Sequence, residues 1–214
     1  MKFLWFVSIS FFIVFSGCNS SKPVTIQKQE VQTFDSLKIS IYWKDNFTDS
    51  SLKFYTKAVI YGREIKGILF VKKMSDYYYK TTFLAQGALK LFDMDLLPDT
   101  FIVHERAKQI DKPIVLRTLA NDLRLLTFGT HKKYKPNSIL KEPNQTTIRT
   151  PYKKVSLFYI FNADNQLKEL ITTSSSGGRD VSVLVTNYQN GIPENLNLKH
   201  HHFKLKIDLT LAKE

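Results

Sequence analysis

The sequence has a single cysteine, which excludes an intrachain disulfide framework and a multi-cysteine zinc site. Glycine is scarce, 8 in 214 residues, and no Gly/Ser linker, low-complexity tract or internal repeat divides the chain. Acidic residues are outnumbered, 19 against 31 Lys and Arg, so the net charge is +12 and an acidic surface is excluded. No GxSxG, HExxH, P-loop or GxGxxG spacing occurs, so the chain reads as a non-enzyme with no metal and no cofactor. Nor is there an apolar run long enough to span a bilayer, which takes about 20 residues. What is present is apolar bulk. At 43% hydrophobic residues a packed core is available and global disorder is excluded.

The longest apolar run, residues 3–17 (FLWFVSISFFIVFSG), follows Lys2 and carries no charge. As a helix it would reach roughly 22 Å, the length of a signal-peptide core rather than of a spanning helix. It ends in Phe15-Ser16-Gly17-Cys18, two small residues directly before the only cysteine. That order resembles a bacterial lipobox, with Phe15 where Leu is usual. The expectation is a signal peptide over 1–17, a lipidated Cys18 with a polar tether over 18–33, and a domain over 34–214. Each buried methylene contributes roughly 0.8 kcal/mol, so two or three acyl chains on Cys18 hold a soluble domain at a membrane. In lipoproteins of this kind Asp after the cysteine retains the protein at the inner membrane. Asn19 therefore points to the outer membrane, periplasmic face. The basic pairs (Lys72-Lys73, Lys132-Lys133, Lys153-Lys154) are dispersed, with no basic helix. They suit anionic lipid head groups, not nucleic acid.

Beyond the tether, period-2 alternation dominates and predicts half-buried strands. It appears in Leu37-Ile39-Ile41, in Val59 and Tyr61 before a turn at Gly62, and in the Ile68–Val71 and Tyr77–Phe83 runs. It continues through Leu89-Leu91, Phe101–Val103, Val155-Leu157-Tyr159-Phe161, Leu167–Ile171 and Val181-Val183-Val185. Near the C-terminus Leu196 and Leu198 lie on even positions, whereas Phe203, Leu205, Ile207, Leu209 and Leu211 lie on odd ones. A change of parity needs a turn, placed at Lys199–His202, with its three histidines read as exposed polar residues. A helix is expected at 113–128, where Leu116, Leu119, Leu123 and Leu126 share a face and Gly129 stops it. A weaker helix is expected at 24–36, and a long Pro-rich loop at 129–151. The fold class is α+β: an open, curved antiparallel β-barrel with a helical lid.

Residue chemistry offers few candidates. Asp93, Asp95 and Asp99 read as solvated turn residues, Ser174–Gly178 as a hairpin loop, and His104 as structural. The apolar side chains say more. Tyr79, Leu91, Leu116, Leu119, Leu123, Leu157, Tyr159, Leu205 and Ile207 are the candidates for a concave face that could hold an acyl chain. An ordinary filled core uses the same residues, and the residues leave both readings open.

The order of elements resembles the LolA/LolB superfamily of lipoprotein localisation factors over most of residues 35–211. The resemblance is carried by Cys18, by Tyr78–Phe83 followed by Leu84-Ala85-Gln86-Gly87-Ala88 and Leu89–Phe92, by the Pro113–Phe128 helix, and by Gly191–Leu198, a turn and Phe203–Ile207. It implies an open barrel with a helical lid that accepts an acylated lipoprotein or other lipid cargo from a LolA-like periplasmic carrier. It also implies a membrane-inserting loop with Leu84 at its tip, flanked by Phe83 and Leu89. The chain departs from the family in the long 129–151 connection and in having no Trp on that loop. Function is expected to be that of a monomeric, lipid-anchored acceptor at the outer membrane. The alternative is a partner-recruiting outer-membrane lipoprotein without a lipid cavity.

Overall fold

The computed structural model describes residues 51–75, 78–127, 136–152, 154–189 and 191–212. The expected signal peptide, Cys18, the tether, the 24–36 helix, the Leu37–Ile41 strand and Gly129 lie outside the described residues.

Five strands come first: β1 (Leu52–Ile60), β2 (Arg63–Ser75), β3 (Tyr78–Ala85), β4 (Lys90–Leu96) and β5 (Phe101–Arg106). A single 3₁₀ turn at Lys108–Ile110 leads into helix α1 (Pro113–Thr127). Seven strands follow: β6 (Ser138–Glu142), β7 (Gln145–Tyr152), β8 (Val155–Asn162), β9 (Leu167–Thr173), β10 (Arg179–Gln189), β11 (Ile192–His200) and β12 (Leu205–Leu211). All twelve form one sheet in the order β5-β4-β3-β2-β1-β12-β11-β10-β9-β8-β7-β6. Every neighbouring pair is antiparallel. The sheet is open, with edges at β5 and β6, and α1 lies between those two edge strands in the chain.

Alternation decides which face is inward. On β1, Phe54, Thr56 and Ala58 are buried, and Lys53, Tyr55 and Lys57 are exposed. The inward rows of β10 (Val181, Val183, Val185), β11 (Leu196, Leu198) and β12 (Leu205, Ile207, Leu209) continue this face, and it merges with the buried side of α1 into a single apolar cluster. At roughly 25 cal/mol per Å² of buried apolar area, this cluster supplies the main favourable term for the fold.

Five register shifts, at Lys73/Ser75, Phe83/Leu84, Asp93/Met94, Ile160/Phe161 and Arg179/Val181, fall within the β2–β5 meander and β8–β10. Such bulges increase local twist and let a sheet curl. Gly67 of β2 sits where the neighbouring strand comes too close for a side chain. A Cβ there would lie 2.1 Å from the carbonyl oxygen of Leu84.

Two sequence expectations need correction. Residues 138–152 are not loop: they form the β6–β7 hairpin, turning at Pro143-Asn144. The Thr146-Thr147-Ile148 run is β-branched and favours a strand; the prolines on either side masked it. Asp93 and Asp95 are not turn residues: both lie on β4, and Asp95 is buried, accepting a hydrogen bond from the Tyr78 hydroxyl at 3.0 Å and facing His104 Nε2 at 3.0 Å. Asp99 alone occupies the turn, between β4 and β5.

Candidate functional site

Helix α1 begins with Pro113, whose missing N–H costs nothing in a first turn. Leu116, Ala120, Leu123 and Leu126 are buried on one face, and Leu119 packs against the same cluster. The helix thereby presents a leucine stripe to the inward face of the sheet. Between them is an apolar cavity of about 40 Å³, lined by Leu119, Asp122, Leu123 and Leu126 of the helix and by side chains of β1, β2, β3, β4 and β12, among them Phe83, Phe92 and Ile207.

All nine pocket candidates belong to the one apolar cluster, but only Leu119, Leu123 and Ile207 line this cavity. Tyr79, Leu91, Leu116, Leu123, Leu157, Tyr159, Leu205 and Ile207 are buried members of the one cluster, and Leu119 packs on it. The space they leave is nevertheless small. Ligand pockets usually enclose about 300–1,000 Å³.

One polar contact crosses this apolar layer. Asp122 projects from the leucine face of α1 and is 2% exposed. Nε2 of His200, at the end of β11, lies 3.0 Å from each of its carboxylate oxygens. His200 is also buried, with the Phe203 ring against it at 4.1 Å between centroids. Burial is the largest influence on the Asp122 carboxyl and holds it above its ordinary value. His200 acts in the opposite direction, and the charge of Asp180 adds to the rise. A cleft of about 480 Å³, lined by Val59, Gly62 and residues 199–206, adjoins His200 from the outside.

His200 corrects the reading of Lys199–His202 as an exposed polar turn. The turn lies at 201–204, and His200 is the last inward residue of β11 after Leu196 and Leu198. The three histidines diverge: His201 Nε2 is 2.9 Å from the Ser182 hydroxyl, and His202 lies 3.9 Å from Asp180. Among the described residues no group of three His, Cys, Asp or Glu is placed to hold a metal ion.

Two residues beyond Asp122 along α1, Arg124 makes a second polar contact. Its Nε donates to the Leu97 carbonyl at 2.8 Å, and the guanidinium lies over the Phe101 ring. Asp122 and Arg124, two residues apart in the C-terminal half of α1, thus fasten that half of the helix to His200 on β11 and to the β4–β5 turn.

The expected membrane loop divides into three environments. Phe83 faces inward, buried against Phe92 with ring centroids 5.8 Å apart, so it belongs to the core and not to a protruding loop. Leu84 lies on β3, not at a loop tip. It faces outward and lines a groove of about 710 Å³ with Tyr55 and Ile68. Leu89 stands in the turn Gln86–Leu89 and is exposed. No helix among the described residues is long and apolar enough to cross a membrane.

No family model and no curated protein matches this chain. Solved structures do. The chain is similar to a LolA superfamily protein from Nitrosomonas europaea, with 10% identity and a TM-score of 0.48 over 78% of this chain and 86% of that one. It is similar also to a domain from Vibrio parahaemolyticus described as that of an outer membrane lipoprotein-sorting protein, with 7% identity and a TM-score of 0.45 over 78% of this chain and 85% of that one.

Proposed function

We propose that the protein is a carrier of acylated lipoproteins or other acyl lipids, anchored through Cys18 at the periplasmic face of the outer membrane. One observation carries the reading. The fifteen-residue helix α1 packs on the inward apolar cluster of an open sheet and is fastened there by polar contacts as well as by leucines. Its removal would uncover Leu69, Phe83, Phe92 and Ile207 as the floor of an acyl site. Cargo would arrive from a soluble LolA-like donor and leave for the bilayer, each step downhill in apolar contact and needing no nucleotide. Leu89, exposed at its turn, is the loop residue that would touch lipid.

A second reading is favoured by the cavity itself. At about 40 Å³ the space under α1 is that of a filled core, which suits a lipoprotein that recruits a partner and carries nothing. Native mass spectrometry of the protein purified from membranes separates the two. Bound acyl lipid or lipopeptide is expected for the carrier, and its reproducible absence favours the filled core. Leu89→Glu should leave the fold intact and impair delivery of lipoproteins to the outer membrane in cells that depend on this protein. Normal delivery would remove Leu89 from the mechanism.

A further inference from the structure

The turn between β1 and β2 holds an unusual residue. Tyr61 and Gly62 connect the paired residues Ile60 and Arg63, with φ of 49° and 82°. Two-residue hairpin turns with both φ positive favour Asn-Gly or Asp-Gly, since bulky side chains enter the left-handed region at a cost. Gly62 fits this pattern and Tyr61 does not. Nor does burial compensate, because Tyr61 is 71% exposed, more than any other large hydrophobic residue described.

Its surroundings are basic. The antiparallel order brings the turns at 61–62, 86–89 and 201–204 to one rim of the sheet. The Tyr61 backbone N–H donates to the Lys204 carbonyl at 2.8 Å, joining the first turn to the third. Arg63, Lys199 and Lys204 are exposed on this rim, and no carboxylate of the described residues pairs with them. The nearby acids are engaged elsewhere: Glu64 with Lys57 at 2.7 Å and Lys66 at 2.8 Å, Asp208 with Lys206 at 3.1 Å. Asp180 faces His202. The exposed Leu89 belongs to the same rim.

We propose that this rim docks on an anionic lipid surface, with the Tyr61 ring at head-group level and Arg63, Lys199 and Lys204 against the lipid phosphates. A tyrosine combines an apolar ring with a polar tip and suits the membrane–water interface. Uncompensated cations within a Debye length of an anionic leaflet are attracted to it. The cost of placing Tyr in a left-handed turn is then offset at the membrane and not within the fold. This inference rests on the proposed function only in placing a bilayer within reach, and it requires nothing of the cavity under α1.

Hydrogen exchange of the full-length protein tests it, with vesicles of phosphatidylcholine alone or mixed with phosphatidylglycerol. Amides of residues 60–64 and 201–205 should exchange several-fold more slowly with the anionic vesicles, and high salt should abolish the difference. Equal exchange on the two vesicles overturns the proposal. Tyr61→Asn suits the turn better than the native residue, so the sheet should remain protected while rim protection by anionic vesicles is lost. Undiminished rim protection in Tyr61→Asn also overturns the proposal. Arg63→Gln and Lys204→Gln should each weaken vesicle binding roughly five-fold, the factor that about 1 kcal/mol per cation represents. Acyl occupancy under α1, read by mass spectrometry on the same variants, should not change, so failure of the rim and failure of the carrier reading are separable.

Discussion

The pair of Asp122 and His200 can be taken apart in a double-mutant cycle. His200→Leu preserves volume and apolar contact but leaves Asp122, 2% exposed, without the imidazole that approaches both its oxygens at 3.0 Å. Removing one member of a buried pair costs about 3–5 kcal/mol. For a domain of this size that lowers Tm by on the order of 10 °C. Asp122→Leu leaves a buried imidazole N–H without its acceptor, at about 1–3 kcal/mol. The double variant replaces the pair with two apolar side chains in an apolar layer and should be near the parent in stability. The two singles would then fail to add by several kcal/mol, the signature of a direct interaction. Thermal unfolding followed by circular dichroism on all four proteins measures the cycle. Additive costs, or a His200→Leu cost under about 1 kcal/mol, would refute the idea that this contact fastens α1 to the sheet.

Three other outcomes follow from the structure. Because burial raises the Asp122 carboxyl in the folded state, that state takes up its proton first, and ionisation erodes stability as pH rises from the ordinary value of 3.8 through the folded one. Asp122→Asn lacks this loss, so its Tm relative to the parent should improve as pH rises above 3.8; a constant difference contradicts the buried carboxyl. Gly67→Ala places a Cβ 2.1 Å from the Leu84 carbonyl oxygen and 2.8 Å from the Ala85 Cα, both backbone. It should cost about 3 kcal/mol in denaturant unfolding, the upper end of overpacking, and a neutral result would mean that β2 and β3 separate more readily than described. Hydrogen bonds from Lys57 and Lys66 hold the exposed Glu64 carboxyl down at about 2. Its NMR titration should move up toward 4.5 in the Lys57→Gln, Lys66→Gln double variant, and no movement would place the lysines elsewhere in solution.

The strands of this fold were legible because one face is buried and the other wet. Parity alone marks Val181–Val185 and Leu205–Leu209, and spacings of three and four mark α1. The β6–β7 hairpin escaped because Pro136, Pro143 and Pro151 punctuate it. Yet Pro143 lies in the turn and Pro151 near the end of β7, where a missing N–H is tolerated. The Asp122–His200 contact was missed for a different reason, although each half had a signal. Asp122 is three residues after Leu119 and four before Leu126, so it lies on the leucine face. His200 is the next even position after Leu196 and Leu198. Neither signal names its partner; only the fold brings the two within 3.0 Å, 78 residues apart. The size of the cavity was not legible at all, because packed and hollow interiors draw on the same leucines.

The strands β1 and β12 meet in the middle of the sheet, where Phe54 pairs with Leu211 and Ile60 with Leu205. That seam sets an order of events during folding. The meanders β1–β5 and β6–β12 can each form from local turns, but they join only when β12 finds β1, and pairing across so much chain is slow. Until then each half-sheet presents an unpaired strand with an apolar inner face, the kind of edge that associates with other chains. A chaperone that shields this protein would therefore be needed most before the seam closes.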